Sequence, residues 1–167
     1  MDDPGFIFCG RYEHALDEKG RLMLPGALRD EMRKSLAPDR VYLGYYPGTG
    51  HLSLYPSERW KQLSQAWRDE RRFPGTRLMM EAQRLFFANL EPVTLDKAGR
   101  ILIPGHFRTR AGLVKEAVVL GVSDKMEIWD PAALQESDER AVERLEAALA
   151  AEGASPAAEG ALRLPQW

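Results

Sequence analysis

An aspartate and an arginine stand four positions apart twice, in similar surroundings: Asp17-Glu18-Lys19-Gly20-Arg21 and Asp96-Lys97-Ala98-Gly99-Arg100. Asp-x-x-Gly suits a type I turn. Aspartate at the first position accepts backbone amides two residues on, and glycine at the last adopts positive φ without a Cβ clash. The arginine then opens the returning strand, at the lip of a hairpin. Two readings are open. In one, the arginine only closes an exposed ion pair with the turn aspartate, a contact worth about 0.5 kcal/mol. In the other, the turn holds an arginine fork, with Lys19 or Lys97 beside it, where it reaches phosphates or the edge of a guanine. Recurrence of the arginine favours the second reading, because many residues would build the turn alone.

Other chemistry is poorly supported. A displacement of 79 residues superposes the two motifs, and under it His14 meets Val93, His106 meets Ala27 and His51 has no counterpart. An active site using histidine as base would therefore be asymmetric, although a hydrolase built on His14 or His106 with a nearby carboxylate is a rival class. No Gly-x-Ser-x-Gly, His-Glu-x-x-His or phosphate-loop pattern is present; Pro47-Gly48-Thr49-Gly50 lacks the following lysine and helix and reads as a hairpin turn. The single cysteine, Cys9, has no partner for a disulfide or a Cys-x-x-Cys site and is expected to be a buried or half-buried thiol. The sequence assigns no catalytic residue, no metal ligand and no cofactor.

The elements that position the motifs are themselves duplicated. Of the fifteen positions from Leu16 to Asp30, seven are identical 79 residues later and four exchange one apolar residue for another. Val41-Tyr42-Leu43-Gly44 answers Val118-Val119-Leu120-Gly121, and Leu52-Ser53-Leu54-Tyr55 answers Met126-Glu127-Ile128-Trp129. Within each copy a strand ends at the aspartate turn, and Leu22-Met23-Leu24 or Ile101-Leu102-Ile103 forms the returning strand. Its unbroken apolar run predicts burial on both faces. Pro25 and Pro104 end that strand and open a helix, with Leu28 and Met32, or Phe107 and Ala111, on one face and Gly112 as a stop. A second hairpin follows, turning through residues 47–50 or 123–125. Ser57 and Asp130 are expected to cap further helices, the first carrying Trp60, Leu63 and Trp67, the second Leu134, Leu145 and Leu149. The tryptophans read as core or interface anchors. Arg68, Arg71 and Arg72, interrupted by Asp69 and Glu70, read as a solvated joint. Thr76 then precedes a linking helix with Leu78, Ala82, Leu85 and Phe86 on one stripe. The expected organisation is a first unit over 5–73, a linking helix over 74–90, a second unit over 91–150 and a disordered tail over 151–167.

Charge narrows the partner. The 167 residues carry 23 basic and 25 acidic groups, which on its face argues against nucleic acid. From residue 131 onward, however, there are three basic and seven acidic residues, leaving the first 130 with an excess of two positive charges. A polyanion site must then be local and multiplied by oligomerisation. No apolar run reaches the roughly 18 residues of a membrane span, and the first residues lack the pattern of a signal peptide, so a cytosolic protein with no membrane partner is expected.

Phe6-x-x-x-Gly10-x-Tyr12-x-His14-x-Leu16-Asp17-x-Lys19-Gly20-Arg21-Leu22, Arg84-Leu85-Phe86-Phe87-Ala88, and Leu95-Asp96-x-x-Gly99-Arg100-Ile101-Leu102-Ile103-Pro104 with Val119-Leu120-Gly121 and Glu127-Ile128-Trp129 closely resemble the MraZ family of bacterial transcriptional regulators. The resemblance covers about residues 5 to 135. It implies an α+β fold of two AbrB-like (SpoVT-type) β-hairpin and helix repeats, forming an intramolecular pseudo-dimer β-barrel with additional helices. It further implies a ring-shaped homo-oligomer on double-stranded DNA with short direct repeats, associated with the nucleoid and repressing the division and cell-wall gene cluster that includes its own gene. Carried over by position, Lys19, Arg21, Lys97 and Arg100 would contact DNA, while Asp17, Gly20, Asp96 and Gly99 shape the turns. The second copy departs from the pattern, with Ala98 in the place of Lys19 and its lysine one position earlier. A non-catalytic structural or protein-binding ring and an AbrB-like antitoxin are the alternatives; the duplication disfavours the antitoxin, which is usually a short, single-copy chain.

Overall fold

A computed structural model describes residue 5 and residues 7–69 and 77–152. The expectations for Phe6, for Glu70, Arg71, Arg72 and Thr76 in the joint, and for the tail beyond residue 152 lie outside these residues. The first repeat runs β1 (Arg11–Ala15), β2 (Arg21–Met23), α1 (Gly26–Met32), β3 (Arg40–Tyr45), β4 (Leu52–Pro56) and α2 (Ser57–Asp69). After α3 (Arg77–Ala88), the same order returns as β5 (Leu90–Thr94), β6 (Arg100–Leu102), α4 (Gly105–Arg110), β7 (Glu116–Val122), β8 (Lys125–Trp129) and α5 (Pro131–Glu152).

The repeats do not fold side by side. Six strands form an antiparallel sheet in the order β1-β7-β8-β4-β3-β5, while β2 and β6 form a separate two-stranded ribbon. Thus β1 of the first repeat lies on β7 of the second, with Arg11 opposite Leu120, and β5 lies on β3, with Arg40 opposite Thr94. A single apolar core joins both copies: Leu22, Leu24, Leu28, Val41, Leu43, Leu52 and Leu54 pack with Ile101, Ile103, Phe107, Val119, Met126 and Ile128. Neither repeat alone would complete its sheet, because each would leave an outer strand without its ladder partner.

Local chemistry sets the joints. Pro25 and Pro104 sit at the N-cap positions of α1 and α4 with φ −54° and extended ψ, one residue ahead of the first helical position. Leu28, Met32, Phe107 and Ala111 are buried as their spacing predicts, and Gly112, at φ +67°, takes the left-handed conformation that ends α4.

Several expectations are corrected. The returning strands are not buried on both faces: Leu22 and Ile101 are fully buried, whereas Met23 is half-buried and Leu102 is 54% exposed. The apolar run is the buried face of a ribbon plus apolar residues on its outer face. Ser57 is the first residue of α2 and not the residue ahead of it, and its hydroxyl donates to the Arg40 carbonyl (2.7 Å). Cys9 is exposed. The stripe on α3 is only partly covered, with Leu78 and Leu85 exposed while Phe86 stacks on Trp67 and lies near Trp60. Ala132–Glu152 belongs to a compact unit of its own; in α5, Leu145 and Leu149 are exposed.

Candidate nucleic-acid interface

The two aspartate turns are built alike. Asp17 Oδ1 accepts the backbone N–H groups of Lys19 and Arg21 (both 2.9 Å), and its Oδ2 accepts Arg21 Nε–H (2.7 Å). In the second copy Asp96 Oδ1 accepts the N–H groups of Ala98 and Arg100 (both 2.9 Å), and its Oδ2 accepts Arg100 Nε–H (2.8 Å). Gly20 at φ +77° and Gly99 at φ +83° close the turns, each donating to its aspartate's carbonyl (2.8 and 2.9 Å). These are the bonds an Asx-type turn requires.

This geometry removes the opposition between the two readings of the motif. Each arginine uses Nε for the intramolecular ion pair, and its two Nη groups make no hydrogen bond among the described residues. An arginine reads guanine O6 and N7, or a phosphate, through such a planar pair of donors. The ion pair and a reading role are therefore compatible.

The ribbon brings the two forks together. β2 and β6 are antiparallel with Arg21 opposite Leu102, Leu22 opposite Ile101 and Met23 opposite Arg100. Arg21 and Arg100 thus lie on the outer face at diagonal positions, about 7–8 Å apart by ladder geometry. Leu22 and Ile101 point the other way, into the core. A two-stranded ribbon of this kind fits the major groove of B-DNA, which is about 12 Å wide.

Lys19 is exposed on the first turn. The Ala98 amide makes the bond that the Lys19 amide makes, so in the second turn alanine holds that place and Lys97 corresponds to Glu18. Lys97, also exposed, lines a shallow groove with Arg29, Arg33, Asp96 and Gly99. None of the histidines lies on the ribbon. His14 is on β1 opposite Ala117, and His106 pairs with Glu91 at 2.9 Å. His51 is buried against Trp129 and 3.4 Å from Glu127, where burial holds its pKa below the ordinary value. Among the described residues, no three His, Cys, Asp or Glu side chains are placed to hold a metal ion, and no helix is long and apolar enough to cross a membrane.

Two further arginines belong to this site, although no sequence motif marks them. Arg29 and Arg108 occupy equivalent positions in the repeats, and each guanidinium packs against the turn of the opposite one. A Cβ on Gly20 would lie 2.8 Å from Arg108 Cζ, and a Cβ on Gly99 would lie 2.8 Å from Arg29 Cζ. Arg29 Nε–H donates to the Leu24 carbonyl (3.1 Å), whereas Arg108 Nε is buried without an acceptor among the described residues. The available signal was their identity across the 79-residue repeat.

The turn aspartates have pKa values below the ordinary carboxylate value. The foremost cause is the backbone N–H of Arg21 or Arg100, reinforced by the guanidinium and the neighbouring amide and opposed by partial desolvation. A depressed folded-state pKa contributes stability that is present above the unfolded value, near 3.9, and is lost as pH falls through the folded value. Unfolding midpoints measured from pH 5 down to pH 2 should therefore fall below about pH 4. The double variant Asp17→Asn/Asp96→Asn should lose part of that slope, and an identical profile would show that these carboxylates do not couple to folding.

Two interleaved repeats sharing one core and carrying aspartate-held arginines on a surface ribbon define an α+β tandem-repeat protein with a candidate site for polyanions. The sequence comparisons identify its relatives. The family model "MraZ protein, putative antitoxin-like" matches residues 7–80 and 86–152, and the chain belongs to the MraZ family. It is 41% identical over 131 residues to the transcriptional regulator MraZ of Solidesulfovibrio magneticus, covering 78% of this chain and 84% of that relative. It is 42% identical over 124 residues to the one from Lactiplantibacillus plantarum (74% and 82% covered), and 37% identical over 124 residues to the one from Heliobacterium modesticaldum (74% and 80% covered).

Proposed function

We propose that this protein is a sequence-specific DNA-binding transcriptional regulator that acts without catalysis or cofactor. The carrying observation is the pair of arginine forks on the outer face of the β2–β6 ribbon, in a chain whose relatives are named as transcriptional regulators. Arg21 and Arg100 read base edges, Lys19 contacts phosphate and Lys97 extends the positive surface. The units over 5–73 and 91–150, joined by the segment 74–90, act as an intramolecular pseudo-dimer, with the sheet and ribbon together curving into a barrel. In this reading the protein assembles with copies of itself into a ring on short direct repeats, associates with the nucleoid in the cytoplasm, and represses the division and cell-wall gene cluster that includes its own gene. The small positive excess of the first 130 residues supports a requirement for assembly, since one subunit offers few phosphate contacts and linked copies multiply weak binding.

Selection from a random duplex pool by the purified protein, followed by sequencing, tests the proposal. Short direct repeats should be enriched. Failure to enrich any sequence, with no duplex bound even at low salt, would leave a structural or protein-binding ring. Lys19→Ala should weaken selected and scrambled duplexes alike and reduce the slope of log affinity against log salt by about one for each phosphate that the lysine neutralises. A weakening confined to the selected sequence would instead assign Lys19 to a base.

A further inference from the structure

We infer that Arg29 and Arg108 are positioning residues that act in a crossed manner: Arg108 fixes the turn 17–21 of the first repeat and Arg29 fixes the turn 96–100 of the second. The inference rests on the DNA-binding reading for its consequence, but its geometry is independent of it.

Each turn is held from the other repeat at two points. The Gly20 carbonyl accepts the Ile103 N–H (3.0 Å), and the Gly99 carbonyl accepts the Leu24 N–H (3.0 Å). Ile103 and Leu24 immediately precede the prolines that open α4 and α1, the helices carrying Arg108 and Arg29. Each arginine then covers the Cα of the glycine so anchored, at a spot where any Cβ would collide with it. On the Arg29 side the loop closes: its Nε–H holds the Leu24 carbonyl, the Leu24 N–H holds Gly99, and Gly99 faces Arg29. Both arginines are half-buried, while Asp30 and Thr109, the next residues along, are exposed. A side chain serving only solubility would not be drawn inward at both equivalent positions. A planar guanidinium lying on the turn limits how far Gly20 or Gly99 can swing, and through it the arginine that follows. Lysine keeps the charge but lacks the plane and the Nε–H.

The test uses Arg29→Lys and Arg108→Lys in the full-length protein, variants that keep the charge and most of the packing. Hydrogen exchange read by mass spectrometry reports the turns directly, through the protected amides of Asp17, Gly20 and Arg21 and of Asp96, Gly99 and Arg100. Arg108→Lys should speed exchange in the segment around 17–21 by about tenfold and leave 96–100 unchanged, and Arg29→Lys should do the reverse. The second arm is a double-mutant cycle with a duplex enriched from the random pool. Arg21→Ala should cost about tenfold in affinity in the parent and under about threefold beside Arg108→Lys, but keep its full cost beside Arg29→Lys; Arg100→Ala should show the opposite pairing. Faster exchange in the turn of the same repeat, in neither turn, or uniformly across β3 and β8 would overturn the crossed brace, as would cycles without crossed coupling. Crossed exchange together with no effect of Arg21→Ala or Arg100→Ala on duplex affinity would keep the brace and refute the DNA-binding reading.

Discussion

Arg21→Ala should weaken binding to the specific duplex by about 1–3 kcal/mol for each base edge it ceases to read in each engaged subunit, while leaving the melting temperature within a few degrees of the parent. The stability half follows from the site. The Arg21–Asp17 pair is about one-third exposed, so solvent screening keeps its net contribution to stability small. Asp17 also retains two backbone amides when the guanidinium is gone, and the turn survives. The affinity half follows from the two Nη donors that the ion pair leaves unused among the described residues, a planar fork that lysine cannot reproduce. Arg100→Ala should behave alike but less severely, because the second turn has Ala98 where the first has Lys19. Titrating specific and scrambled duplexes against folded variants measures both. Unchanged specific affinity in both would reduce the motif to a surface ion pair.

One residue further along, the expected effects reverse. Leu22→Ala or Ile101→Ala should cost about 2–5 kcal/mol of folding stability, since each side chain is fully buried and the two face one another across the ribbon. Duplex binding should then fail only as the protein unfolds. Leu102→Ala, on the 54% exposed outer face of the same strand pair, should cost under about 1 kcal/mol. Denaturant titrations of the three variants separate the faces. Similar destabilisation at Leu22 and Leu102 would mean that the ribbon is covered on both sides in solution.

What the sequence by itself determined is what short-range chemistry determines. Asp17 and Asp96 reach amides two and four residues away, Gly20 and Gly99 supply positive φ, and Pro25 and Pro104 end strands and open helices, all within one or two turns of chain. The 79-residue repeat made the same fragments legible twice and set the aspartate–arginine pair apart from the unrepeated histidines. The pairing of strands was decided only in the tertiary structure. A hairpin motif reads the same whether its strand pairs within its own repeat or, as β1 does with β7, with a strand about a hundred residues away. Burial of Leu22-Met23-Leu24 departs from the expectation for that reason: an isolated apolar triplet does not say whether a second layer covers its outer face, and here the ribbon has none among the described residues. Arg29 and Arg108 matched across the repeat and still revealed nothing about their role, because each meets a glycine of the opposite copy and only the folded chain brings those residues together.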